Sequence, residues 1–125
     1  MKKLLSFAFI LVACFGFVTL VNAASKYVNL GGGSNTGWVY RDSTPDAWYT
    51  RVTADNGEGS NNIVNTVQRQ VLFIWGGGGK YTFTIANPGN YTVNWTGNGT
   101  LNTRSLWENT SSASNWVTGN FILSV

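Results

Sequence analysis

The acid–base chemistry this chain can offer rests on five carboxylates: Asp42, Asp46, Asp55, Glu58 and Glu108. There is no His, and the single Cys is Cys14, so Ser-His-Asp and Cys-His relays and the usual Cys/His zinc sites are excluded. A glycosidase needs two carboxylates facing each other across a cleft. Five are present, but none stands in a recognisable motif. Gly76-Gly77-Gly78-Gly79-Lys80 invites comparison with a phosphate loop, yet the places for its first Gly and its Ser/Thr hold Ile74 and Tyr81. The run reads instead as a flexible connection between two strands. Asp55-Asn56-Gly57-Glu58-Gly59 crowds oxygen ligands onto a turn, which makes Asp55 and Glu58 candidate calcium ligands. The spacing is not that of an EF-hand, and a polar hairpin tip accounts for it as well. No cofactor is implied.

Aromatic side chains carry the stronger signal. Trp38, Tyr40, Trp48 and Tyr49 lie close together among polar and glycine residues. Exposed indole and phenol faces stack on the apolar C–H surfaces of sugar rings, while Asn and Asp bind the hydroxyls. These four are the candidate ligand-binding residues, and a cell-wall or glycan surface is the partner they suggest. The competing role for such rings is core. Trp75 and Trp95 continue apolar strand faces and are assigned to the core; Trp38, Trp48, Trp107 and Trp116 suit either role.

Those residues need elements to hold them, and the elements read as strands. Apolar spacing of three and four is absent, whereas period two recurs. Tyr81, Phe83 and Ile85 alternate with Thr82 and Thr84, and Tyr91, Val93 and Trp95 alternate with Thr92 and Asn94. Asn87-Pro88-Gly89 between them is a turn signal, so Lys80–Ala86 and Asn90–Thr96 are expected to pair as a β-hairpin. Its Thr/Asn faces would also suit a membrane-inserting hairpin, although each leg is short for a spanning strand. Further strands are expected at Lys26–Leu30, Gly37–Arg41, Ala47–Thr53, Thr100–Trp107 and Asn115–Val125. Arg69–Trp75, with the run Val71-Leu72-Phe73-Ile74-Trp75, reads as a strand covered on both faces. Ile63–Gln70 is the one place for a short helix. Strands every eight to twelve residues predict an all-β, single antiparallel sandwich or small barrel.

Ahead of this domain, Lys2 and Lys3 precede an apolar run from Leu4 to Val21, then Val21-Asn22-Ala23. The pattern is that of a secretory leader cleaved after Ala23, leaving 24–125 as the mature domain. An uncleaved anchor is the alternative, and Leu11-Val12-Ala13-Cys14 offers a lipid attachment at Cys14 as another. Cleavage removes the one Cys, so the exported domain has no disulfide, which points to a bacterial source. It also removes Lys2 and Lys3 and lowers the net charge from +3 to +1. No basic patch suggests nucleic acid.

The segment Tyr27-Val28-Asn29-Leu30-Gly31-Gly32-Gly33, followed by Trp38-Val39-Tyr40, resembles the mature N-terminus of the lactococcin 972 family of secreted bacteriocins. The family pattern is a valine-containing strand, a Gly pair and Trp-x-Tyr. Here Ser34-Asn35-Thr36-Gly37 widens the gap before Trp38, and Arg41 stands where the family tends to have Gly. The resemblance covers about fifteen residues. It implies a small β-sandwich that acts on the envelope of rival bacteria through a cell-wall precursor. The function expected is therefore that of a secreted, non-enzymatic, bacteriocin-like protein working at a cell envelope, with membrane contact compatible. The alternatives are a glycan- or surface-binding module that self-associates through strand edges, a small pore-former, or a glycosidase-like enzyme.

Overall fold

A computed structural model describes residues 23–125. Of the leader expected over 1–23, residues 1–22, Cys14 among them, lie outside the described residues.

Eight strands follow one another: β1 (Ala24–Gly31), β2 (Val39–Thr44), β3 (Ala47–Glu58), β4 (Asn61–Val71), β5 (Ile74–Ile85), β6 (Gly89–Thr96), β7 (Leu101–Asn109) and β8 (Trp116–Ser124). They form two antiparallel four-stranded sheets, ordered β1-β8-β3-β6 and β2-β7-β4-β5. Apart from β4 and β5, no two strands adjacent in sequence are paired. Successive strands otherwise alternate between the sheets, which is the eight-stranded jelly-roll arrangement. The expected all-β sandwich is thus the fold, and its barrel alternative is not.

Period two explains the sandwich. In β4, Ile63, Asn65, Val67 and Arg69 point inward and Asn62, Val64, Thr66, Gln68 and Gln70 point outward. This corrects the short helix expected over Ile63–Gln70. Ile63 and Val67 are four apart, as on a helix face, but β-branched residues and outward polar ones between them favour a pleated strand. Ile63, Val67, Trp107, Phe121, Val52 and Leu123 fill the space between the sheets, with Trp107 edge-on to Phe121 at 5.6 Å. Burial of these side chains is the main driving force, at roughly 1.5–3 kcal/mol each.

Polar groups cross the same core and satisfy one another. Thr50 of β3 donates to Asn65 Oδ1 of β4 at 2.6 Å, and Asn65 Nδ2 donates to Ser105 Oγ at 2.7 Å. Trp95 Nε1 donates to Thr50 Oγ1 at 2.8 Å, so Trp95, half-buried on β6, does pack against the core. Toward the far end, Asn109 Nδ2 donates to Leu30 O at 3.0 Å and to Asn61 Oδ1 at 2.8 Å, and Asn61 Nδ2 to Trp116 O at 3.1 Å. Each of these amides joins one sheet to the other. Left unpaired there, an amide would cost about 1–3 kcal/mol.

Three further local expectations fail. Lys80–Ala86 and Asn90–Thr96 are strands, but they do not pair: β5 bonds to β4 and β6 to β3. Asn87-Pro88-Gly89 turns the chain from one sheet to the other instead of folding a hairpin. Val71-Leu72-Phe73-Ile74 is not a covered strand; it is the tip of the β4–β5 hairpin, with Val71 opposite Ile74 and Leu72-Phe73 as a two-residue connection. The glycines at 76–79 are not a connection but part of β5 itself. Gly78, at φ 78°, lies where β4 shifts register between Val67 and Arg69, and a Cβ there would stand 2.2 Å from Val67 O.

Candidate functional site

The strand alternation that sends Val39, Thr103, Ser105 and Val67 inward sends Tyr40, Arg104 and Gln68 outward onto the exposed face of β2-β7-β4-β5. Tyr40 lies opposite Arg104 across the β2–β7 pair, and Arg104 opposite Gln68 across β7–β4. The Arg104 guanidinium is clamped between two indoles, 4.1 Å from the Trp38 ring and 4.6 Å from the Trp75 ring. Its Nε and Nη2 both donate to Gln68 Oε1, at 2.9 and 2.6 Å. Tyr40 meets Trp75 edge-to-face at 5.9 Å. Cation–π contacts of this kind contribute about 0.5–2 kcal/mol each and fix the rings in place. The result is a rigid shelf: two indoles held by one cation, a phenol ring open to solvent beside them, and amides within the same face. Gln70 lies opposite Trp75, and its Oε1 accepts from Asn102 Nδ2 at 3.3 Å.

The four ring residues singled out in the sequence do not share one face. Trp38 and Tyr40 stand on this shelf. Tyr49 lies on β3, in the opposite sheet, with Arg51 over its ring at 4.9 Å. Trp48 is inside, 3% exposed, with the Arg69 guanidinium stacked on it at 4.4 Å. The physical reason is the pleat: Trp48 and Tyr49 are consecutive and must point to opposite sides of their strand. Trp75, assigned to the core from the sequence, is instead half-buried on the outer face and completes the shelf. Its place follows from the hairpin tip: with the turn at Leu72-Phe73, Trp75 is the outward partner of Gln70. Arg104 and Gln68 carried no signal in the sequence, because neither stands near Trp38 or Trp75 along the chain. Among the other indoles, Trp107 is buried and Trp116 is half-buried, with Nε1 donating to Glu58 Oε2 at 3.3 Å.

Asp55 and Glu58 both lie near the end of β3 that is remote from the hairpin tip. Asp55 Oδ2 accepts from the Tyr27 hydroxyl at 2.6 Å. No group of three or more His, Cys, Asp or Glu that could hold a metal ion occurs among the described residues. At the other end of the sandwich, a groove of about 330 Å³ opens between Trp48, Arg69, Val71, Ile74 and the Thr96–Asn98 turn. Arg69, only 5% exposed, forms part of its wall; Nη2 donates to Thr44 O at 2.7 Å and Gly99 O at 3.0 Å, tying two turns together. Burial lowers the Arg69 pKa and nearby Asp46 opposes that shift.

The fold and the shelf define a jelly-roll sandwich that displays a fixed aromatic–arginine face. Among solved structures the chain is similar to the Yersinia pseudotuberculosis-derived mitogen YPM, with 15% sequence identity over 84% of this chain and 86% of that one, at a TM-score of 0.49. No protein-family model and no curated protein matches the chain.

Proposed function

We propose that this is a secreted, non-enzymatic protein that binds polysaccharide at a cell envelope through the outer face of β2-β7-β4-β5. The observation that carries the reading is the Trp38–Arg104–Trp75 stack with Tyr40 open beside it. A sugar ring laid on Tyr40 and the edge of Trp75 would bury its C–H face, with Gln68, Gln70 and Asn102 in reach of its hydroxyls. Because the rings are already held, little side-chain freedom is lost on binding.

Calorimetric titration against soluble peptidoglycan fragments and a panel of cell-wall polysaccharides tests this. Tyr40→Ala and Gln70→Ala should each weaken binding by about tenfold, since each removes one contact worth on the order of 1–2 kcal/mol. Absence of binding throughout the panel, or unchanged affinity in both variants, overturns the reading. A bacteriocin would use the same face against a rival's wall, in keeping with the resemblance at Tyr27–Gly33 and Trp38-Val39-Tyr40. It would add growth inhibition of related strains, lost in Tyr40→Ala.

A further inference from the structure

The β4–β5 hairpin ends in four consecutive apolar side chains that nothing in the fold covers. Val71, Leu72, Phe73 and Ile74 are 59%, 85%, 94% and 73% exposed. Both sides of the pleat are apolar, and no polar side chain interrupts the four. Exposure of this kind has a cost in water, and the backbone adds another. Leu72 sits at φ 57°, as the first residue of a two-residue hairpin connection, where glycine is the usual occupant. A bulky side chain held there costs about 1–3 kcal/mol, and such strain collects at interaction sites.

We infer that this tip inserts into a lipid bilayer. Val71 and Ile74 line the groove beside Trp48, but Leu72 and Phe73 project past its rim, and a projecting apolar pair of this kind is matched by a medium that surrounds it, whereas a protein partner would meet it with a shaped and directional surface. The two connecting residues bridge the strands, so the backbone reaches one residue rise, ~3.3 Å, beyond the Val71–Ile74 pair, and the Leu72 and Phe73 side chains extend further, which suits shallow insertion at the headgroup–acyl boundary. Immediately behind it stand Trp75 and Tyr40, ring types that settle at membrane–water interfaces, with Arg104 between the indoles at a level suited to lipid headgroups. Of the five carboxylates, Asp55, Glu58 and Glu108 lie toward the opposite end of the strands, while Asp42 and Asp46 lie at the tip end, where Arg41 and Arg69 balance them.

The inference goes beyond the polysaccharide reading: it shares Trp75, Tyr40 and Arg104 with the shelf, but the inserting residues Leu72 and Phe73 are not on it, so their substitution tests it separately. Co-sedimentation of the purified domain with phosphatidylcholine and mixed phosphatidylcholine/phosphatidylglycerol vesicles tests it. The parent domain should partition onto vesicles, and Phe73→Asp should reduce that partitioning by at least about tenfold, the loss expected when one large apolar side chain can no longer be buried. Leu72→Gly separates binding from folding: it should raise the melting temperature by relieving φ strain, yet weaken vesicle binding. Polysaccharide titration of both variants should match the parent. No vesicle binding by the parent, or binding indifferent to both substitutions, overturns the inference. So does a concentration-dependent dimer in sedimentation that Phe73→Asp abolishes while vesicles are ignored, because the tip would then be covered by a second copy.

Discussion

Tyr27 and Asp55 come from β1 and β3, which are separated by β8, and their contact sets a titration. The Tyr27 hydroxyl donates to Asp55 Oδ2 at 2.6 Å, and this bond holds the phenol pKa above its ordinary 10.0; slight desolvation and the carboxylate's charge act in the same direction. A raised pKa means that the native state keeps this proton more tightly than the unfolded chain. The resulting stabilisation is present in full below the unfolded value and fades as pH rises through the native one. Titration of the Tyr27 ring followed by NMR should give a midpoint above 10.0 that falls back in Asp55→Ala. An identical midpoint in the variant would show that the pair does not form in solution. Neither partner is identifiable from the sequence, because 28 positions separate them. Trp38 and Tyr40, by contrast, were recognisable as sharing one side of a strand from their spacing of two, although that spacing left open whether the side was core or surface.

Strand content was largely legible and strand pairing was not. Tyr81-Thr82-Phe83-Thr84-Ile85 and Tyr91-Thr92-Val93-Asn94-Trp95 have the alternation of strands and are strands. Alternation records which face is buried, however, and says nothing about the neighbour, so Asn87-Pro88-Gly89 looked like a hairpin turn when it is a crossing between sheets. The apolar run at 71–75 misled for a related reason: hydrophobicity alone does not distinguish a covered strand from an uncovered tip. Within β5 the glycines divide by environment. Gly78→Ala adds a methyl 2.2 Å from Val67 O at φ 78°, while Gly77→Ala enters open space at φ 63°. Thermal or urea unfolding should show Gly77→Ala costing about 1 kcal/mol, from backbone strain alone, and Gly78→Ala at least about 2 kcal/mol because the β4 backbone must also move. Equal losses would mean that the β4 register shift is absent in solution.

Only the β4–β5 pair is local; every other ladder joins strands remote in sequence, and β8, the last strand, lies between β1 and β3. Loop-closure entropy must then be met before most contacts form, which slows folding. Stopped-flow refolding followed by tryptophan fluorescence, with buried Trp107 a principal reporter, should fall in the milliseconds-to-seconds range or slower. A microsecond phase carrying the full amplitude would contradict this topology. The amides that cross the sandwich have a further effect on how its two halves are aligned. Displace one sheet against the other by a single residue and Asn65 parts from Thr50, Asn109 from the Leu30 carbonyl and Asn61 from the Trp116 carbonyl, all at once. A purely greasy filling would tolerate such a slide with modest loss, whereas here three separate penalties arrive together. Asn61, Asn65 and Asn109 therefore work as a vernier: they admit one setting of the two layers and reject its near neighbours.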